Sequence, residues 1–169
     1  MTMDLRSERG TTLIETAIAA AILLVVLTGL LSMAALASVY TENHGHLEAR
    51  TTEYAQDKME QLLALAYTDA VTNTVVFPAA LSGGTGLAVG GGINPAAPVN
   101  GYVDWLAYDG SLLGGGTTPP DTWFYERVWQ TTSPSGNLKQ MTVVTTVRHA
   151  VGRALRPKST VVALKNSQF

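Results

Sequence analysis

The chain has 169 residues, of which 14% are charged, with a formal net charge of -2 and no cysteine. That length holds one modest domain beside a long helix. Bulk charge this close to zero excludes a polyanion binder by composition, and the missing cysteines exclude disulfides and any thiolate metal site, so a head outside the cytoplasm has to hold by packing alone.

The chain opens on a short polar leader carrying Arg6 and Arg9 and ending at Gly10, followed by Thr11-Thr12-Leu13-Ile14-Glu15. Residues 13–41 are then almost wholly Leu, Ile, Val, Ala and Met, interrupted by Thr28, Gly29, Ser32 and Ser38, with Glu15 as the sole charge. That run exceeds the roughly 20 apolar residues that cross a bilayer. Arginine lies before it and Glu42, His44 and Glu48 follow it, which predicts a single pass with the N-terminus in the cytoplasm. A carboxylate in the first turn of a spanning helix costs roughly 2.5–3.5 kcal/mol at the bilayer centre and less near the interface. Glu15 therefore needs either a partner or a position from which it snorkels to the headgroups.

A basic leader ending in glycine, two small residues, two aliphatics and a Glu ahead of a long apolar helix resembles the processing motif of type IV prepilins and pseudopilins. The resemblance implies that a prepilin peptidase cuts after Gly10 and methylates Thr11 as the new terminus, and that Glu15 meets the N-terminal ammonium of a neighbouring subunit. Opposite charges in a low-dielectric fibre core attract strongly, and each alone is expensive to bury. The usual first mature residue of the family is Phe; Thr11 departs from it in the direction of minor members. Removing residues 1–10 takes away Asp4 and Glu8 with Arg6 and Arg9, so the mature net charge is unchanged.

Beyond the apolar run, Leu47, Thr51, Tyr54, Ala55, Met59, Leu62, Leu65 and Ala66 recur at helical spacing, with Glu48, Arg50, Glu53, Gln56, Asp57, Glu60 and Gln61 opposite them. No proline occurs before Pro78, so the spacing predicts one helix from residue 11 to about 66, roughly 80 Å at 1.5 Å per residue. Gly29 and Gly45 are its expected weak points, and Gly29 equally allows close helix packing. Residues 78–101, rich in Gly and Pro, read as a long surface loop, and a second loop is expected at Gly114 to Gly116 and Pro119-Pro120. The triple glycine at 90–92 is no phosphate loop, because no strand precedes it and no Lys-Ser/Thr closes it. Strands are expected at 102–108, 123–131, 138–149 and 160–164, with a turn at Ser133-Pro134-Ser135-Gly136-Asn137, as an antiparallel meander. Its greasy face requires a cover, and the amphipathic half of the helix is the candidate.

The fold expected is therefore α+β, a pilin-like lollipop in which a long N-terminal helix packs against a small antiparallel sheet. Its parts are a leader (1–10), a transmembrane or filament-core helix (11–41), an amphipathic helix (42–67) and a periplasmic head (68–169). The runs at 55–62, 125–129 and 138–144 add a resemblance to minor pilins of the PilV type and to I-type pseudopilins of type II secretion. The family implies an inner-membrane subunit that later joins a pilus or pseudopilus, with other pilin subunits, the peptidase, the motor and the assembly platform as partners.

Other chemistry finds little support in the residues. His44 and His46 lie about 200° apart on a helix and cannot share a metal ion. His149 with Asp104, Asp109 or Asp121 and a serine composes a triad only on paper, without a nucleophile elbow. No enzyme activity, cofactor, metal or nucleic acid is expected. Lys139, Arg148, Arg153, Arg156, Lys158 and Lys165 follow Glu126 without an intervening acid, and read as a solvated sheet edge ahead of a face for phosphates or an acidic partner. Trp105, Trp123 and Trp129 read as head core. Two rival readings remain: an exported module cut after Ala37 in Ala35-Leu36-Ala37, and an uncut membrane-anchored adaptor.

Overall fold

A computed structural model of the chain describes residues 11–149 and 156–167. The fold is α+β. One α-helix, α1 (Thr11–Ala64), is followed by six strands: β1 (Gly90–Gly91), β2 (Val103–Leu106), β3 (Leu112–Gly115), β4 (Tyr125–Ser135), β5 (Leu138–Val147) and β6 (Lys158–Asn166). The helix is 54 residues long and passes through both Gly29 and Gly45. A sequence dominated by Ala, Leu, Ile and Met, without proline, makes such a run intrinsically favourable. The chain divides into two compact units after Glu42. The second unit takes in residues 43–64 of α1 together with everything after them, so the amphipathic helix and the head, expected as separate segments, form one body.

In that second unit the strands make one antiparallel sheet in the order β3-β2-β4-β5-β6, with β1 paired to the far end of β4. The expected meander holds for β4, β5 and β6. It fails earlier, because β3 folds back outside β2 and the chain then returns to place β4 on the other side of β2. Pro134 sits where the β4–β5 register shifts, between Thr132 and Ser135, which is where a sheet tolerates a residue without an N–H. The expected turn thereby narrows to Gly136 and Asn137.

Two strands arise where glycine signalled only loop. Gly114 and Gly115 belong to β3, and β1 is a glycine pair. At Gly91 the backbone adopts φ +80°, and an added Cβ would overlap the Trp129 carbonyl and the Tyr102 ring. Glycine here permits a close backbone approach, so pairing with β4 decides the strand and side-chain propensity does not.

The helix covers one sheet face through Ala55, Met59 and Leu62, which pack on Leu87, Tyr102, Trp129, Met141 and Val143. Towards residue 47 of the helix a second cluster joins Tyr54 to Leu106, Tyr125 and Val147. On the opposite face Val103, Trp105, Val128 and Val144 are buried, with Trp123 against them. Each such side chain contributes about 1.5–3 kcal/mol on burial. The three tryptophans therefore serve the core, as expected.

Candidate functional site

The first unit is an apolar helical surface. Every residue from 13 to 42 is exposed in the isolated chain, including Leu13, Ile18, Leu24, Leu31 and Met33. The helix is long and apolar enough to cross a membrane. Its hydroxyls are satisfied without help: Thr28 Oγ1 donates to the carbonyls of Leu24 and Val25 at 2.9 Å, Ser32 to that of Thr28 at 2.8 Å and Thr41 to that of Ala37 at 2.8 Å. Such back-bonding lets these residues enter an apolar medium without an orphaned donor. Glu15 differs because it carries a full charge, exposed on that surface. Gly10 lies outside the described residues, and Thr11 is the first residue of α1.

The second unit buries charge instead of exposing it. Lys58 occupies the middle of the helix face that carries Ala55, Met59 and Leu62, and it is fully buried. Its ammonium lies 2.6 Å from Asp104 Oδ2, donates to the Thr74 carbonyl at 2.8 Å and stands 4.7 Å from the centre of the Trp129 ring. Asp104 projects from β2 towards the helix because its neighbours Val103 and Trp105 take the other face. It also accepts Arg127 Nε at 2.7 Å and Arg127 Nη2 at 3.0 Å, a bidentate pair between laterally opposed residues of β2 and β4. Arg127 Nη1 then reaches Asp57 at 2.8 Å and the Tyr54 carbonyl at 3.3 Å. Two cations and two carboxylates thus balance inside the head.

The titration behaviour follows from this geometry. Burial pushes the Lys58 pKa below its ordinary value, with Asp104 opposing the shift. Burial alone would raise Asp104, but Arg127 and then Lys58 outweigh it and hold the carboxyl below the usual range. For Arg127 burial is likewise overcome, by Asp104 and Asp57, and its pKa rises. On the other sheet face Glu126, one position from Arg127, has the opposite fate. It is buried, its Oε1 has no hydrogen-bond partner, and burial pushes it up to about 7 against only the Arg156 charge.

The basic residues of the C-terminal third are mostly engaged. Lys165 Nζ donates to the Leu63 carbonyl at 2.6 Å and to that of Leu65, while Lys139 Nζ donates to the carbonyls of Tyr67 at 2.7 Å and Leu87 at 2.8 Å. They close the exit of α1, where unpaired carbonyls carry partial negative charge. Arg148 donates to the carbonyls of Asp121 and Trp123 and lies over the Trp123 ring. Arg156 and Lys158 stay exposed, and Arg153 lies outside the described residues.

A cleft of about 740 Å³ opens beside this end of the helix, lined by Asn43, His46, Arg50, Tyr108 and Asp109 over the rings of Tyr54, Phe124 and Tyr125. Successive rings meet edge to face at 4.8 to 5.0 Å. Burial pushes the Tyr125 hydroxyl up to about 12. Gly110, at φ +87°, lets the β2–β3 turn close against Tyr54, since an added Cβ would strike that ring.

Of the residues considered for catalysis or metal, Asp104 belongs to the ion network, Asp109 accepts the Ser111 N–H at 2.9 Å within its own turn, and His44 Nδ1 lies 3.3 Å from Glu48. The four-residue network went unread in the sequence. Its signal is Lys58, a charge at the spacing of the buried positions 51, 55 and 62. Asp104 and Arg127 gave less warning, since short strands buried on both faces show no alternation. No protein-family model matches this chain, and neither a curated protein nor a solved structure is found similar to it.

Proposed function

We propose that this chain is a structural minor pilin or pseudopilin subunit. It is inserted in a bacterial inner membrane with its N-terminus in the cytoplasm and its head in the periplasm, cut after Gly10, methylated on Thr11 and packed through α1 into a type IV pilus or a type II secretion pseudopilus. The observation that carries the reading is the isolated carboxylate of Glu15, five residues after Gly10, at the start of a helical surface whose every other polar group from 28 onward is closed on itself or uncharged. Such a surface needs a bilayer or like helices around it, and the charge needs a cation supplied from outside the segment, because no basic residue occurs between Arg9 and His44. The ammonium freed by cleavage in front of Thr11 has the right sign and belongs to the same family of subunits. Ala35-Leu36-Ala37 lies well inside α1, which weighs against a signal-peptidase cut there, since it gives that site no extended segment.

Intact-mass and N-terminal analysis of protein from cells with active prepilin peptidase tests the proposal. A terminus at Thr11 with one added methyl group is expected. A terminus at Ser38, or an uncut chain, would overturn it. Glu15→Ala is expected to be processed normally yet to enter filaments poorly.

A further inference from the structure

The exposed charges of the head are sorted by side. On the solvent side of α1, Glu48, Glu53, Asp57 and Glu60 stand against one exposed cation, Arg50, since Lys58 is turned inward. The back of the sheet has the opposite sign along its last strand. In β6, Ser159 bonds Thr51 and Thr52 of the helix, Val161 and Ala163 pack on the core, and Lys165 reaches the end of α1. By alternation Lys158, Thr160, Val162 and Leu164 face away from the helix, and all are exposed. Arg156 is exposed just before them, and no acid follows Glu126 in the chain. Val162 and Leu164, 55% and 60% exposed, add an apolar strip beside these cations.

The two faces are also matched in height. Ser159 bonds residues 51 and 52 of the helix and Lys165 bonds the carbonyls of 63 and 65, so β6 runs alongside α1 in the same direction. Lys158 is thus level with Glu53, and Leu164 with Glu60 and the partly exposed Leu63. We propose that copies of this chain stack front to back, with the acidic side of α1 in one copy against the basic and apolar back of β6 in the next. Sign, height and the apolar strip all fit this pairing, whereas a twofold contact would set acid against acid or base against base. Front and back differ, so the contact is heterologous and repeats with all helices parallel. This names the head contact of the filament reading above and rests on it for the parallel arrangement.

The absence of native cysteine makes the test direct. Full-length chain carrying Glu53→Cys with Lys158→Cys, and separately Glu60→Cys with Leu164→Cys, is oxidised in membranes and run without reductant. Each double variant is expected to give a ladder of dimers, trimers and higher species joined between the two named positions. Either single variant alone is expected to give no linked species, and a mixture of the two singles is expected to stop at dimers. Charge reversal supplies an independent readout: Lys158→Glu is expected to reduce the copies recovered together by chemical crosslinking several-fold, and adding Glu53→Lys to restore them. Dimers in a single variant, or neither ladder nor charge rescue, would overturn the stacking. N-terminal analysis of the same samples separates the two claims: a methylated Thr11 terminus without ladder or rescue removes the stacking alone, and an uncut chain that still gives the ladder removes the pilin reading alone.

Discussion

Glu15 and Asp104 are both carboxylates set among apolar neighbours, one in each compact unit, and they are handled in opposite ways. Asp104 is met by Lys58 at 2.6 Å and by both ends of the Arg127 fork, all supplied by this chain. Glu15 has no basic residue following it in sequence before His44. A buried ion whose partners come from its own fold helps specify that fold, whereas an ion whose partner must come from elsewhere makes association the favourable state. The head is thereby organised to be complete alone, and the apolar helix to be incomplete alone.

The comparison breaks most visibly at Asp104. Asp104→Ala leaves Lys58 and Arg127 buried without their shared partner and is expected to destabilise the head by about 3–5 kcal/mol, read by urea denaturation. Glu15→Ala should leave that midpoint within about 0.5 kcal/mol while filament entry falls. A head equally damaged by both would erase the distinction. Lys58→Met keeps the volume and the Arg127–Asp104 pair but removes the bond to Thr74, so a loss of about 1–3 kcal/mol is expected.

Across the sheet, Glu126 sharpens the contrast through pH. Its folded pKa, about 7, lies above its unfolded value, so the folded state holds the proton more tightly and stability falls as pH rises from about 4.5 to 7. Asp104, held below its unfolded value, adds stability that is present at neutral pH and disappears as pH drops through its depressed pKa. Glu126→Gln should flatten the loss on the alkaline side, on the order of 1 kcal/mol between pH 5 and 8, and leave the acid limb intact. An unchanged alkaline limb would mean that Glu126 finds a partner in solution. The smallest effect is expected for Lys165→Met, about 0.3–1 kcal/mol from the uncapped carbonyls of Leu63 and Leu65.

What could be read beforehand follows from which interactions are local. The long helix, its buried stripe at Thr51, Ala55, Met59 and Leu62, and strands β4 to β6 were legible because periodicity and composition are properties of neighbouring residues. The strand at Leu112–Gly115, the β1 glycine pair and the order β3-β2-β4 were not, since each depends on a partner strand distant in the chain. The same limit hid the ion network, whose members at 57, 58, 104 and 127 meet only after the sheet has formed. The basic tail was read as a solvated edge; Lys139 and Lys165 instead turn inward to the end of α1, a role visible only once β6 lies along the helix.

That last placement bears on the order in which the head is completed. The terminal strand both pairs along β5 and supplies the cation that closes α1, joining residues 102 positions apart. During synthesis or export the helix emerges first and its end stays open until almost the whole chain has crossed. Late closure of so distant a contact slows folding, and it also acts as a check on completeness: a chain truncated before Lys158 lacks both the edge strand and the cap, and leaves the underside of the helix at Val161 and Ala163 uncovered.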